Sequence, residues 1–566
     1  MIVLGINSVY HESAAAIIVD GDIVAAAEEE RFNRYKHGKP ANTNNANVLP
    51  LQAIEYCLSS INLKIDQIDL VAFSFDPALR EKYFEVDPLS IPKNWGSLEG
   101  EEFFRRSLGN IKSSLSENFG DKIAEKLVWV SHHIAHAASA FYPSGFRKSA
   151  LLIIDGIGEN ASTMMGFGDM NDLKIIQEIH YPHSLGFLWE KICQFLGFSE
   201  YDACKVMGLA AYGQKEIMKD CFNKFAKITS DGFILDNNIL RFRLPEFEPL
   251  EALFGKRREK GEPINEIHKN IAAALQEFTD AAVLSLVQRL YRLYPSENLC
   301  LAGGVALNCV TNWLVKEKGE FRNLFIPSAP HDAGTAIGAA LYTYHTRSNA
   351  KLLSIVQLDP YTGPEFSQDE ILMQIEKLGL QGRISTDSAS EAANMIANGK
   401  IVGWFQGRME FGPRALGNRS LLADPRHFTT RELLNRKVKH REDFRPFAPS
   451  VLADKANDWF EIGRHSESLK YMLFSCAVRP EKAKLIPAVL HIDGTSRLQL
   501  VDKDLNTNYY RLIEQFEQIT GIPLVLNTSF NDSEPIVCTP RDALLTFQGT
   551  LIDAVVMGNI IVERKS

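Results

Sequence analysis

The sequence predicts a mixed α/β protein with a large N-terminal α/β region followed by a smaller C-terminal α/β domain. Three observations carry this. An apolar strand, Asp-Gly turn and second apolar strand occur twice, near residues 2–27 and 150–167. A long stretch of helical periodicity at 271–294 runs into a short apolar strand that ends in Gly303-Gly304. Beyond about residue 360 the texture changes, with arginines dense between Arg408 and Arg445. At roughly 150 residues per domain, 566 residues leave room for three or four structural units, so several cores are expected.

In chain order, the apolar runs 2–6 and 14–19 flank a loop, and Asp20-Gly21 then supplies the positive φ angles of a tight turn into 23–27. Residues 55–63 and 104–119 have helical spacing, and 71–74 reads as a short core strand. The second strand, turn and strand (150–154, Asp155-Gly156, 162–167) suggests two related halves. The strand at 299–301 forms a strand, glycine turn and helix unit, and the small residues from Asp332 to Ala340 open another helix by allowing close backbone approach. Residues 347–365 are rich in Ser, Asn, Pro and Gly, which places a linker near 355 and domains at 1–355 and 356–566. The second domain opens with helices at 370–378 and 389–397 and a strand at 401–405. No short-period repeat or low-complexity tail is present.

Composition narrows the class. With 61 basic and 70 acidic side chains the net charge is −9, which argues against a surface built mainly to hold polyanions. A hydrophobic share of 45% and a charged share of 23% suit a packed soluble protein and exclude general disorder. No apolar run reaches membrane-span length and the start lacks signal-peptide features, so a cytoplasmic protein with no membrane partner is expected. Eight cysteines are scattered without a CxxC pair, which points to buried free thiols rather than zinc fingers or a disulfide framework.

Three sets of residues could carry chemistry. His132 and His136, four apart, share one helix face and could ligate Fe, Zn, Ni or Cu; Asp155 and Asp332, in glycine-rich loops, are the best partners. There is no HExxH glutamate for a protease base, and capping or surface histidines fit the spacing equally well. The glycine turns at Gly156 and at Gly303-Gly304 could present backbone N–H groups to phosphates, although neither completes a P-loop or a GxGxxG motif and both also suit plain structural turns. Arg414 and Arg419 lie in Gly-Pro-Arg-Ala-Leu-Gly-Asn-Arg-Ser, followed by Lys439, Arg441, Arg445 and later Arg497. Guanidinium forks on such loops could cradle a small phosphorylated substrate, or could simply pair with Asp424, Glu442 and Asp443.

Taken together, the segments resemble the O-carbamoyltransferases of the nodulation-protein and antibiotic-tailoring family. The likeness runs from Gly-Ile-Asn-Ser-Val-Tyr-His-Glu-Ser and Glu-Glu-Glu-Arg-Phe-Asn-Arg, through Ser-His-His-Ile-Ala-His, Lys-Val-Met-Gly-Leu-Ala-Ala-Tyr-Gly and Ala-Gly-Gly-Val-Ala-Leu-Asn. It ends with Phe-Arg-Pro-Phe-Ala-Pro-Ser and Leu-Asn-Thr-Ser-Phe-Asn. The resemblance implies a duplicated Kae1-like domain of the actin, hexokinase and Hsp70 superfamily, followed by a YrdC-like domain. The latter would make carbamoyl adenylate from carbamoyl phosphate and ATP with Mg2+, and the former would pass the carbamoyl group to a hydroxyl of a small natural product or sugar.

The same resemblance implies a metal, Fe(II), at His132, His136, Asp155 and Asp332, and a nucleotide at Gly156, Gly303, Gly304 and Asn308. The arginine-rich loops are expected to hold carbamoyl phosphate at Lys439, Arg445, Arg497 and Ser529, with Arg414, Arg419 and Asn527 nearby. Lys439 and Arg497 are read as catalytic, and His11 as the base for the acceptor hydroxyl, since an unperturbed imidazole suits that task. Two positions depart from the family: Glu12 stands for its Asp and Ser533 for its Gly. The rivals are a tRNA threonylcarbamoyl-transfer enzyme, weakened by the absence of a basic stripe, and an inactive nucleotide-binding regulator on the same fold. No nucleic-acid partner is expected, and a homodimer stays open. Acceptor specificity is expected in the loops 84–118 and 231–265.

Overall fold

The structure is a computed structural model and describes residues 1–348 and 359–564. The linker expected near residue 355 lies outside the described residues. The chain divides into two compact units, the first built from residues 1–29 and 37–348, the second from 30–36 and 359–564. Among the described residues no helix is long and apolar enough to cross a membrane. Six of the eight cysteines are buried.

The first unit contains the same five-stranded sheet twice. β1 (Ile2–Asn7), β2 (Ala14–Val19) and β3 (Asp22–Glu28) form an antiparallel meander, turned by Asp20 at φ 50° and Gly21 at φ 97°. β4 (Leu70–Phe73) and β5 (Leu127–Trp129) extend it in parallel on the β1 side, giving the order β3-β2-β1-β4-β5. Helix α1 (His132–Phe141) follows β5. The pattern then repeats. β6 (Lys148–Ile154), β7 (Ala161–Asp169) and β8 (Asp172–His180) form the second meander. After the long helix α2 (Glu266–Leu293), β9 (Asn298–Ala302) and β10 (Asn323–Phe325) add in parallel, giving β10-β9-β6-β7-β8. Helix α3 (Gly334–Arg347) then takes the place that α1 holds in the first half.

Small residues let the two halves meet. A Cβ added at Gly5 of β1 would lie 1.9 Å from the Ala336 carbonyl oxygen, and one at Gly338 would lie 1.8 Å from that of Ala135. Helix α3 therefore lies backbone to backbone on both β1 and α1, which only glycine permits. Two helix expectations shift. The helix expected at 55–63 spans Leu51–Ser59, starting directly after Pro50, and the one expected at 104–119 is two helices, Leu98–Gly109 and Ile111–Phe119, separated at Asn110. Periodicity records which face is buried and does not mark where a helix starts after Pro50 or is interrupted at Asn110.

The second unit is built on one eight-stranded mixed sheet. Its strands are β11 (Gly382–Ile384), β12 (Val402–Phe405), β13 (Arg419–Ala423), β14 (Ala448–Leu452), β15 (Gln499–Val501), β16 (Leu524–Ser529), β17 (Ala554–Met557) and β18 (Ile560–Glu563). Their order is β11-β18-β17-β12-β13-β16-β14-β15. The expected helices appear as Gln368–Lys377, with a Ser367–Glu370 capping box, and Ser388–Ala397, capped by Asp387. The early segment 30–36 belongs here. Buried Arg31 donates to the Gly412 carbonyl at 2.7 Å, and Arg34 donates to that of Ile536 at 2.7 Å.

Gly338→Ala should destabilise the first unit by about 1–3 kcal/mol through overpacking, read as a lower urea midpoint. Gly109→Ala, where a Cβ would meet nothing within 4 Å, is the control and should stay within about 1 kcal/mol of the parent.

Candidate active site

The duplication brings four titratable side chains to one point. His132 and His136 lie one turn apart at the start of α1, Asp155 directly follows β6, and Asp332 lies two residues before α3. The Glu159 carboxylate tethers the first turn of α1, accepting from the His132 backbone N–H at 2.8 Å and from that of Asp76 at 2.9 Å. His132 Nε2 stands 3.2 Å from Asp155 Oδ2 and 3.5 Å from Asp332 Oδ1. For His136 Nε2 the distances are 3.6 and 3.4 Å. All four side chains are buried.

The electrostatics show why these residues belong together. Burial opposes charge on His132, yet the Asp332 and Asp155 carboxylates hold its imidazole well above its ordinary range. Burial likewise pushes the Asp155 carboxyl up, and the two imidazoles more than reverse it, holding Asp155 well below the usual carboxylate range. His132 Nδ1 lies 3.3 Å from the Ser74 carbonyl, an acceptor only, so this nitrogen carries the proton and Nε2 faces the carboxylates. Both ring nitrogens of His136 are buried without a hydrogen-bond partner. A buried imidazole with two orphaned nitrogens, facing two carboxylates, is what a divalent transition metal with N and O ligands would satisfy.

The glycine turns serve this centre. The Gly304 N–H donates to Asp155 Oδ1 at 2.9 Å, and Gly303, at φ 91°, approaches so closely that a Cβ would lie 2.2 Å from the Ile154 carbonyl oxygen. Gly156 is packed against Gly186, whose added Cβ would lie 2.7 Å from the Gly156 Cα. Asn308 caps the helix Cys309–Lys318 and donates to Gln276 at 3.0 Å. These four residues thus have structural roles whether or not a nucleotide binds.

His11 sits in the loop after β1, where Tyr10 and Glu12 both adopt φ 58°. Asn7 pins this strained loop, its Nδ2 donating to the carbonyls of His11 at 3.2 Å and Glu12 at 3.0 Å, while its Oδ1 accepts from Ser74 Oγ at 3.0 Å. His11 Nδ1 is buried without a hydrogen bond, 3.9 Å from Glu12 Oε1. The partner that Glu12 does bind was missed in the sequence: His37 Nδ1 donates to its Oε1 at 2.6 Å. No spacing rule links residues 12 and 37; the only sign was the histidine that closely follows Glu-Glu-Glu-Arg-Phe-Asn-Arg.

In the second unit, buried Lys439 donates to the carbonyls of Ser529 at 2.6 Å and Asn531 at 2.8 Å, to Ser529 Oγ at 3.2 Å and to Asn531 Oδ1 at 2.6 Å. Burial, reinforced by the nearby charges of Arg441 and Arg445, drives its ammonium well below the ordinary lysine range. Lys439, Arg445 and Ser529 are therefore neighbours. Arg497, half-buried on the strand Thr495–Arg497, has a buried Nε without a hydrogen-bond partner. Asn527 Nδ2 donates to Ser450 Oγ at 3.0 Å and Gln499 Oε1 at 3.1 Å, and its Oδ1 is buried and unbonded. Arg414 is half-buried.

Arg419 differs from its expected place in the anion cradle. Its fully buried guanidinium donates to the carbonyls of Gln406 at 2.7 Å, Pro364 at 2.8 Å and Asn418 at 2.9 Å, and lies 3.7 Å from the centre of the Phe405 ring. It braces the glycine loop. Of the carboxylates that could have neutralised the cradle, Asp424 pairs with Arg426 at 2.6 Å, Asp443 with Arg436 at 3.5 Å, and Glu442 stands 3.9 Å from Arg445. Ser533 has no positive φ, so replacing the family's glycine strains nothing.

Residues 2–341 match the family described as Carbamoyltransferase N-terminus, and residues 393–564 match Carbamoyltransferase C-terminus. The chain belongs to the carbamoyltransferase family, and this membership supports a transferase. It is 38% identical to the uncharacterized protein sll1178 of Synechocystis over an alignment of 610 positions including gaps, covering 99% of this chain and 96% of that protein. It is 37% identical to the nodulation protein NolNO of Sinorhizobium fredii, covering 99% of this chain and 80% of the relative. A full-length HypF solved in a phosphate- and nucleotide-bound form aligns with 61% of this chain and 55% of its own at 12% identity, with a TM-score of 0.32.

Removing one donor tests the centre. His136→Ala, reconstituted with a divalent transition metal and measured by elemental analysis, should bind that metal more weakly by more than the roughly 10–100-fold that losing an outer hydrogen-bond partner costs. Unchanged metal affinity would exclude His136 as a ligand.

Proposed function

We propose that this protein is an O-carbamoyltransferase that uses carbamoyl phosphate and ATP and works through carbamoyl adenylate. The observation that carries the reading is the separation of two chemistries within a carbamoyltransferase chain. Four buried metal-type donors lie in the first unit, and a buried lysine with neighbouring arginines lies in the second. In this reading the first unit is a Kae1-like transfer domain, which the two sheets of identical strand order support. The second is a YrdC-like adenylate-forming domain.

In the second unit, Lys439, Arg445, Arg497 and Ser529 hold the carbamoyl phosphate, with Arg414 and Asn527 beside them. Lys439 and Arg497 offset the charge that builds up as carbamoyl phosphate, ATP and water become carbamoyl adenylate, phosphate and pyrophosphate. Mg2+ accompanies the ATP. In the first unit, His132, His136, Asp155 and Asp332 would hold a divalent metal, Fe(II) by family resemblance, which supplies Lewis-acid polarisation of the carbamoyl group when bound. The nucleotide lies along the turns of Gly156, Gly303, Gly304 and Asn308. The acceptor oxygen then forms its bond to the carbonyl carbon, the bond from that carbon to the AMP oxygen breaks, and AMP departs. His11, whose side chain is 27% exposed, takes the hydroxyl proton. The acceptor class is a small natural product or sugar.

The test is to incubate the full chain with carbamoyl phosphate, Mg2+-ATP and a panel of sugar, aminoglycoside and alkaloid alcohols. A product heavier by one carbamoyl group, formed only when ATP is present, is the expected result; carbamoylation without ATP would overturn the adenylate route. Separately, Arg497→Ala should weaken carbamoyl phosphate binding by at least about tenfold, because a charge-assisted pair is worth roughly 1.5–3 kcal/mol. Calorimetry that finds parent-like affinity removes Arg497 from the cradle.

A further inference from the structure

We propose that Glu12, Glu28 and His331 form a second divalent-cation site in the first unit, separate from the four-donor centre and independent of the reaction proposed above. Three elements that are far apart in sequence build it: the pinned loop after β1, the end of β3, and the residue just before Asp332. His331 Nε2 stands 3.6 Å from Glu12 Oε2 and 3.5 Å from Glu28 Oε1, and one ligand atom from each of the three residues lies within 4.8 Å of the others. Such gaps exceed a normal N–H···O hydrogen bond. They match the 3.2–3.6 Å gaps of the four-donor centre, and donors around one ion with bonds of about 2.1 Å sit roughly 3.0–3.4 Å apart.

Burial and the surroundings of the carboxylates point the same way. Glu28 and His331 are buried, with side chains only 2% and 8% exposed, and His331 Nδ1 has no hydrogen-bond partner. Glu12 divides its oxygens: Oε1 accepts the 2.6 Å hydrogen bond from His37, leaving Oε2 to face His331. A ligating carboxylate held by an outer hydrogen bond on its other oxygen has this arrangement. The loop is also rigid, since Asn7 fixes the Glu12 carbonyl and the Glu12 backbone is already in a left-handed conformation. Two oxygens and one imidazole suit Mn2+, Fe2+ or Mg2+, and three protein donors leave the remaining positions to oxygen ligands from solvent or substrate.

The test uses Mn2+ alone, without nucleotide or carbamoyl donor, on chelator-stripped full-length protein, with bound metal counted after gel filtration. The parent should hold two Mn2+ per chain. Glu28→Gln and His331→Gln should each hold one, and His136→Ala should also hold one, having lost the other. Circular dichroism and gel-filtration volume identify any variant that is misfolded, in which case Glu12→Gln takes its place. A parent that holds only one Mn2+, a folded Glu28→Gln and His331→Gln that both still hold two, or the loss of both ions from a folded single variant would each overturn the proposal.

Discussion

The first unit is organised around the cost of burying charge. Two carboxylates and two imidazoles share one buried point, and no member could stay there alone, since an isolated buried ion costs several kcal/mol. Each is tolerable because the others face it. The centre therefore constrains everything that delivers it: α1 must begin at His132, β6 must end at Asp155, and α3 must begin just beyond Asp332. Glu159 and Ser74 act on His132, and Gly304 acts on Asp155, so the scaffold holds these two members from outside the centre.

Duplication solves the delivery problem. Each half runs an antiparallel meander, two parallel strands and then a helix, so both halves end by pointing a helix start at the same region. What allows the two helices to meet is the absence of side chains where they cross, at Gly338 against Ala135 and at Ala336 against Gly5. The same crossing brings His331 beside Glu12 and Glu28. The loop after β1 is thus tied to the metal-type centre twice, through Asn7 and Ser74 to His132 and through His331 to Asp332.

In the second unit a different balance operates. Lys439 is almost fully buried and is met by four oxygen contacts from Ser529 and Asn531 rather than by a carboxylate. These oxygens orient the amine without supplying a counter-charge, and burial beside Arg441 and Arg445 disfavours its ammonium form until an anion arrives to offset it. Arg419 shows the opposite outcome, with its planar fork engaged by backbone carbonyls and an aromatic face. Two basic residues of similar promise in the sequence therefore part ways on the chemistry of their immediate neighbours.

Much of the fold is legible in the sequence. Alternation of apolar strands with Asp-Gly turns marks β1 to β3 and the β6–β7 pair, because a two-residue turn with positive φ leaves a local chemical trace. His132 and His136 share a helix face at their spacing, and their place in glycine-rich loops nominated Asp155 and Asp332 as partners, which the family resemblance reinforced. Helix limits were less legible, since Pro50 and Asn110 act on the backbone rather than on the apolar pattern. The pairing of His37 with Glu12, the meeting of Glu12, Glu28 and His331, and the diversion of Arg419 to carbonyl oxygens were not legible at all. Local patterns record what a residue needs from its own strand or helix. Which distant group satisfies a buried charge depends on how separate elements pack, and that is decided only when the chain closes in three dimensions.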